Sequence, residues 1–472
     1  MRATETQAWR ERRREPSPYC AHRITPPKGG SSISDAEAPF CAVIGAGPAG
    51  LFAADALARA GARVVIYEHK ASPARKFLMA GRGGLNITHS EGLERFISRY
   101  GAAAARLAPF IRAWPPQALR DFCAELGETT FVGSSGRVFP ASFKASPLLR
   151  AWLARLSRLG VVIATRHAFA GFAESGALRL IGPDGEFTRK ADALVLALGG
   201  ASWPRLGSDG AWAARLGAEG VRVTPLAAAN SGALIEWSAI FRSDFEGQPI
   251  KTALLRHGGS SARGDVVVTR AGLEGGPVYA LSSQLREAAQ KHGPTTLSID
   301  LRPDTSLECL TRKLSRRAQK QSHANFLRKA GFSKVEIGLL REARPDGLPR
   351  DADSLAALIK NAPLAVTGVA GLERAISTAG GVSFDELDDN LMLKKLPGVF
   401  VAGEMLDYDA PTGGYLLQAA FATGLAAGRG AARYLGLSLD QQTTPAQDDQ
   451  AGLSPRQSPN GRDPEASNKY SL

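Results

Sequence analysis

The chain carries its apolar runs in the middle and polar, charged segments at both ends. Residues 1–37 mix Arg, Glu, Pro, Ser and Gly without periodicity and read as a disordered leader. Residues 439–472, rich in Gln, Asp, Ser and Pro, read as a disordered tail. Ordered structure is expected from Phe40. The run Phe40-Cys41-Ala42-Val43-Ile44 is a short apolar strand ending in glycines. Ala49 to Arg59 is an Ala- and Leu-rich helix, and Arg63 to Tyr67 is a second apolar strand, which completes a βαβ unit. Arg106 to Glu125 and Ser146 to Arg158 read as helices, the second with Ser146 as N-cap and proline in its first turn. Val161 to Thr165, Phe169 to Phe172, Leu178 to Ile181 and Phe187 to Lys190 alternate like short strands, and Ala193 to Leu198 is a buried strand closed by Gly199-Gly200. From Pro204 to Leu301 the pieces are strand-like, among them Gly232 to Ile235 and Asp265 to Thr269. Leu307 to Ala330 and Lys334 to Arg341 read as basic helices. After Ile376 come short strands, glycine turns and one last helix, Gly414 to Tyr434.

At ~150 residues per domain, 472 residues suggest about three domains or one large domain with insertions. A hydrophobic fraction of 44% suffices for an ordinary globular core. No apolar stretch reaches the ~18–20 residues of a membrane span. The N-terminal arginines precede no apolar segment, and Glu5, Glu11 and Glu15 speak against a transit peptide, so a cytoplasmic protein is expected. Cys20, Cys41, Cys123 and Cys309 are scattered, with no CxxC pair, and the seven histidines show no metal-ligand spacing. No metal site is expected. The net charge is +13, and the stretch from Arg312 to Arg344 alone carries +8. Such a patch attracts phosphate-rich partners.

Gly45-Ala46-Gly47-Pro48-Ala49-Gly50 fits GxGxxG between a strand and a helix. Gly45 would make the tight turn, Gly47 would let a pyrophosphate approach the backbone, and Gly50 would let helix and strand pack. The helix N-terminus offers the phosphates N–H groups and partial positive charge. Glu68 ends the second strand 18 residues after Gly50, where an acid accepts hydrogen bonds from ribose hydroxyls. The bland alternative is a glycine turn beside a surface glutamate. No second fingerprint exists, so one dinucleotide site is expected.

Three segments resemble the bacterial flavoprotein family of aminoacetone oxidase-like and bile-acid-reductase-like proteins. They are Gly45 to Glu68 with Arg75 to Thr88; Gly136 to Pro140 with Leu194 to Trp203; and Gly380 to Val382 with Gly398 to Asp407 and Gly413 to Gln418. The resemblance implies FAD as cofactor. It implies an α/β fold, a Rossmann-type FAD-binding domain with an inserted β-rich domain and a small helical domain. The FAD domain would comprise residues 38–203 and 367–438, the β-rich domain 204–302 and 351–366, and the basic helical domain 303–350. Gly403, Glu404 and Asp407 would lie near the ribityl chain and pyrophosphate. Gly413, Gly414, Tyr415 and Leu416 would open the last helix under the isoalloxazine, where its N–H groups stabilise charge on reduced flavin. Lys76, Arg82, Asn86 and Thr88 would be flavin or phosphate contacts, or a structural loop. One departure stands out. Where the family pattern has Arg-Cys-Asn, this chain has Gly84-Leu85-Asn86, so roles that need the cysteine do not carry over and a subgroup is indicated.

Flavin can pass hydride to an acceptor or electrons to oxygen. The leading expectation is reduction of a conjugated C=C bond, in an enone or in the uracil ring of ribosomal RNA, with NAD(P)H docking transiently as donor. The basic segment favours RNA; its alternative is a solvated helical face. An FAD-dependent amine oxidase and a non-catalytic FAD-binding redox sensor or RNA-binding protein are the other readings. No catalytic residue stands out. Tyr415 is either a proton donor or a packing residue.

Overall fold

The computed structural model describes residues 38–316 and 321–439, with the Arg82 side chain left out. The leader expected at 1–37, most of the tail, and Arg317 and Lys320 of the basic segment lie outside the described residues.

The apolar strand Phe40–Ile44 is fully buried at the centre of a five-stranded parallel sheet. Burial on both faces is what an unbroken apolar run requires. Arg63–Glu68 pairs with it on one side and Val162–Thr165 lies beyond. Ala193–Leu196 pairs on the other side, and Val399–Val401 forms the edge. The chain therefore leaves the central strand in both directions, and the crevice beyond that strand's carboxyl end is the switch point where α/β sheets bind ligands. This Rossmann-type sheet takes its last strand from the C-terminal part of the chain.

Helix Pro48–Arg59 follows the central strand, and the last helix, Tyr415–Tyr434, lies against it. Small residues set their spacing. A Cβ on Gly428 would stand 2.6 Å from the Ala53 carbonyl oxygen, and one on Gly424 would overlap the Ala49 carbonyl oxygen. Phe52 fills the space beyond, edge-on to Trp114 and Phe122 at 5.0 Å and to Phe421 at 5.4 Å. Such aromatic pairs add about 0.5–1.5 kcal/mol each beyond their buried area.

A seven-stranded sheet carries a second core. Its order runs Ala362–Val366, Thr295–Asp300, Pro249–His257, Ser260–Thr269, Gly272–Glu274, Ala233–Leu234, Gly368–Val369. All its pairings are antiparallel. Helix Gly276–His292 covers it with Val278, Leu281 and Leu285. Helices Leu307–Leu314, His323–Lys329, Lys334–Ala343 and Ala352–Lys360 complete this part. A two-stranded ladder, Val223–Ala229 with Ser377–Val382, stands apart from both sheets. No helix among the described residues is long and apolar enough to cross a membrane.

Several elements differ from the sequence expectation. Arg106 to Glu125 is two helices, Ala104–Ala113 and Pro116–Glu125. Pro115 forces Trp114 out of the helical region, to φ −138° and ψ 76°. Ser146 is not an N-cap: the helix starts at Ala145 behind an extended Lys144 with no side-chain cap. Leu307 to Ala330 breaks after Leu314, and a new helix starts where the Ser322 hydroxyl accepts from the Asn325 N–H. The stretch expected to be strand-like also holds helices Trp212–Ala218, Ala239–Phe245 and Gly276–His292.

The helix contact at Gly428 should tolerate no branched side chain. Gly428→Val is expected to lower unfolding free energy by about 1–3 kcal/mol in urea denaturation, the range for overpacked cores. An unchanged midpoint would show that the two helices separate freely.

Candidate functional site

The glycine turn is built of backbone contacts. Gly45 has φ +101°, its N–H donates to the Tyr67 carbonyl at 2.8 Å, and a Cβ there would overlap the Ala197 carbonyl oxygen. A Cβ on Gly50 would overlap the Gly45 carbonyl oxygen. Gly47 is different: it is the extended N-cap of the first helix, and open space surrounds the point where its Cβ would stand. With Pro48 at the first helical position, the remaining N–H groups of the first turn have no partner within the helix. Glu68 is buried and tied to this turn. One of its oxygens accepts from the Ala46 N–H at 2.9 Å and the other from the Lys70 N–H at 2.8 Å.

A cavity of about 540 Å³ runs from this turn to the start of the last helix. Gly45, Gly47, Pro48, Ala49, Glu68, Lys76, Asn86, Gly403, Glu404, Gly413, Gly414 and Leu416 all line it. Ala46, Gly50, Thr88 and Tyr415 are buried and do not line it. Asp407 faces a neighbouring cleft and accepts from the Thr224 hydroxyl at 2.6 Å. The Arg82 side chain falls outside the described atoms.

At the last helix, Gly414 is the N-cap with φ +95°, and a Cβ on it would stand 2.5 Å from the Thr88 Cα. Tyr415 is turned away from the cavity. Its hydroxyl donates to Glu91, its ring lies 4.6 Å from Phe96, and its carbonyl accepts from the Tyr100 hydroxyl at 2.8 Å. Burial and the Glu91 carboxylate push its pKa well up, and its contacts with Glu91, Phe96 and Tyr100 are those of a packing and anchoring residue. Asn86 lines the cavity with a buried Oδ1 that has no protein partner.

Between the two ends lies a cluster around Lys76 and Glu404, both expected near the cofactor, whose contact with each other no sequence pattern indicated. Glu404 is buried; its Oε1 accepts from the Thr378 N–H at 3.0 Å. Its Oε2 accepts from Lys76 Nζ at 2.8 Å and from the Gly200 N–H at 3.2 Å. Lys76 also donates to the Ser202 hydroxyl at 2.9 Å. Arg137, Asn230, Trp203, Ser377 and Thr412 line the same cavity and are not among the site residues expected from the sequence. Among the described residues no group of His, Cys, Asp and Glu side chains could hold a metal ion.

These features fit FAD. The open space at Gly47 has room for a pyrophosphate, the first-turn N–H groups are free to meet it, the orphaned Asn86 oxygen offers an acceptor, and the Gly413-Gly414 turn opens a second helix N-terminus onto the same cavity.

The Glu91 cluster that fixes Tyr415 has a pH signature. The Arg99 guanidinium, bonded at 3.0 and 2.8 Å, holds the Glu91 carboxyl below its ordinary 4.5, helped by the Tyr415 hydroxyl and against the effect of burial. A lowered folded pKa adds stability that is fully present above the unfolded value and lost as pH falls through the folded one. Glu91→Gln should therefore be less stable than the unaltered protein at neutral pH, with the difference shrinking below pH 4.5. Urea unfolding across that range checks this; a pH-independent difference would reject it.

The model of the HI0933-like protein Rossmann domain matches residues 40–430. A 3-dehydro-bile acid Δ(4,6)-reductase of Clostridium scindens is 27% identical over 406 residues, covering 83% of this chain and 98% of that protein. The ribosomal RNA dihydrouridine synthase of Escherichia coli is 24% identical over 391 residues, covering 81% and 95%. Among solved structures, a 3-ketosteroid-Δ4-(5α)-dehydrogenase of Rhodococcus jostii aligns over 83% of this chain and 96% of its own, at 15% identity and a TM-score of 0.48. With the family model spanning both parts of the parallel sheet and the glycine turn after its central strand, the chain belongs to the HI0933-like Rossmann family and is an FAD-dependent oxidoreductase.

Proposed function

We propose that this protein reduces a carbon–carbon double bond conjugated to a carbonyl, in an enone or in the uracil ring of ribosomal RNA, with NAD(P)H as electron donor. The observation that carries this reading is the charge of the cavity lining. Its carboxylates, among the described residues, are Glu68 and Glu404. Glu68 is held by backbone N–H groups beside the glycine turn, and Glu404 is paired with Lys76. No free carboxylate awaits the ammonium group of an amine. The end at the last helix presents Arg137, Asn86, Asn230, Thr412 and backbone N–H groups instead. Such a lining favours an oxygen that gains negative charge, as the carbonyl of an enone does when hydride adds to its β-carbon.

Bound FAD would supply the hydride. Gly47, the first helix and Lys76 would hold the cofactor, while Asn86 and the Gly413-Gly414 turn would orient its ring. Trp203 and Ile376 line the cavity and are 38% and 42% exposed, so their apolar faces suit a flat substrate ring at the rim. Relatives named as a bile-acid reductase and as dihydrouridine synthases support an acceptor of this class.

The RNA version has its own support. Arg328, Lys334 and Arg341 of the basic segment line one groove together with Arg242 and Arg270, five cations against the three carboxylates Glu236, Asp244 and Glu342. On helix Lys334–Ala343, Lys334, Ile337, Gly338 and Arg341 share the face turned to that groove. Phosphates suit such a surface.

Anaerobic mixing of the flavin-loaded protein with NADPH or NADH should bleach the flavin absorbance, and an enone or a uracil-containing ribosomal RNA fragment should restore it. Bleaching by amines, with none by either nicotinamide, would replace the reductase by an oxidase. For the RNA version, changing Arg316, Arg317 and Lys320 together to Ala should weaken binding and lower the salt-dependence slope by roughly 2, at ~0.7 per phosphate contact on a single strand. Unchanged affinity and slope would remove this segment from RNA binding.

A further inference from the structure

Arg137 heads the strand Arg137–Pro140, which pairs with Thr88–His89 on one side and Thr130–Val132 on the other. The pairing sets His89 opposite Arg137 and Thr88 opposite Val138. Thr88 is also the residue against which Gly414 packs. One short ladder therefore fixes both the start of the last helix and the root of Arg137. The preceding turn is locked too, because a Cβ on Gly136 would stand 2.5 Å from the His89 ring. From this root the half-buried Arg137 side chain enters the cavity. Its Nε lies 3.8 Å from the point where a Cβ on Gly413 would stand. Among the described residues it has no carboxylate partner, unlike Lys76, whose charge Glu404 answers. An unpaired guanidinium in a partly desolvated cavity is costly unless an anion meets it.

We propose that Arg137 is a catalytic residue whose guanidinium, beside the N-terminus of the last helix, stabilises the negative charge that gathers at N1 and C2=O of the flavin ring when the ring accepts an electron pair. The inference rests on FAD occupying the cavity with its ring at that helix. Two independent sources of positive potential then converge on one locus. The helix gives partial charge through its first-turn N–H groups, and Arg137 gives a full charge. The oxidised ring becomes a better electron acceptor, which favours reduction by a nicotinamide. The phosphates would lie elsewhere, at the open space by Gly47 and the first helix, which would leave Arg137 to the ring.

Sulfite tests the charge without turnover. Its lone pair would form a σ bond to flavin N5 while the N5=C4a π bond opens, so that this electron pair, and with it the added negative charge, moves to N1 and C2=O and no atom leaves. The adduct is read as bleaching of the flavin absorbance of the FAD-loaded protein. Arg137→Met should keep FAD at the unaltered ratio to protein and bind sulfite at least ~10-fold more weakly, a difference of about 1.4 kcal/mol. Arg137→Lys, which keeps the charge without the fork, should recover part of that affinity. A merely structural arginine would move thermal stability and leave sulfite affinity alone. Unchanged sulfite affinity in Arg137→Met overturns the inference. So does loss of FAD from Arg137→Met, which would put the guanidinium on the pyrophosphate. An unaltered protein that takes up no FAD overturns the cofactor reading itself, and this inference with it.

Discussion

The site depends on backbone meeting backbone. The Ala197 carbonyl abuts Gly45, the Gly45 carbonyl abuts Gly50, and the Ala49 and Ala53 carbonyls abut Gly424 and Gly428. These contacts converge on the carboxyl end of the central strand. They leave no room for a side chain, and they bring a helix from each end of the sequence against the same turn. A methyl group at any of them would push apart elements that must stay at van der Waals distance. The cavity is the space left over once this packing is complete, and its two helix N-termini face it because the packing orients them.

Polar groups then fix what packing has placed. Lys76 and Glu404 are 328 residues apart in sequence and 2.8 Å apart in space. Their pair, with Thr378, Gly200 and Ser202, ties the early and late parts of the chain across the middle of the cavity. Burying such a pair adds little net stability, but removing one partner would strand a charge. Glu68 plays the matching part at the glycine turn, where both its oxygens hold backbone N–H groups. Tyr415, Glu91 and Arg99 do the same for the last helix. Glu68 and Glu404, which the sequence reading assigns to ligand contact, thus also hold the frame.

What could be read from sequence was local. The glycine turn, its flanking strands and Glu68 form a compact spacing pattern, and the structure brings those residues to one place. The last helix could be read because two glycines precede a long apolar run. Arg137 could not be read as a cavity residue, since a lone arginine before a three-residue apolar stretch looks like a surface strand; its position follows only from pairing with Thr88–His89. The Lys76–Glu404 contact has no local signature at all. Helix Gly276–His292 was legible in principle. Pro277 in its first turn and Val278, Leu281 and Leu285 on one face announce it, yet the strand-like neighbours on either side outweighed that spacing. The break at Trp114-Pro115 likewise stood in plain view and was overridden by the apolar periodicity on both sides.

The edge strand Val399–Val401 has a consequence for biosynthesis. Until it emerges from the ribosome, the strand Ala193–Leu196 has an unsatisfied edge, and the first helix lacks the surface that Tyr415–Tyr434 will cover. More than two hundred residues, including the whole seven-stranded sheet, are translated in that interval. At roughly 5–20 residues per second the nascent chain spends on the order of ten seconds or more with an incomplete nucleotide fold. The second sheet, whose strands all fall within that stretch, can form meanwhile. A dinucleotide that binds only the finished site would then act as the final clasp, drawing the last helix home and protecting the young protein from proteolysis by mass action.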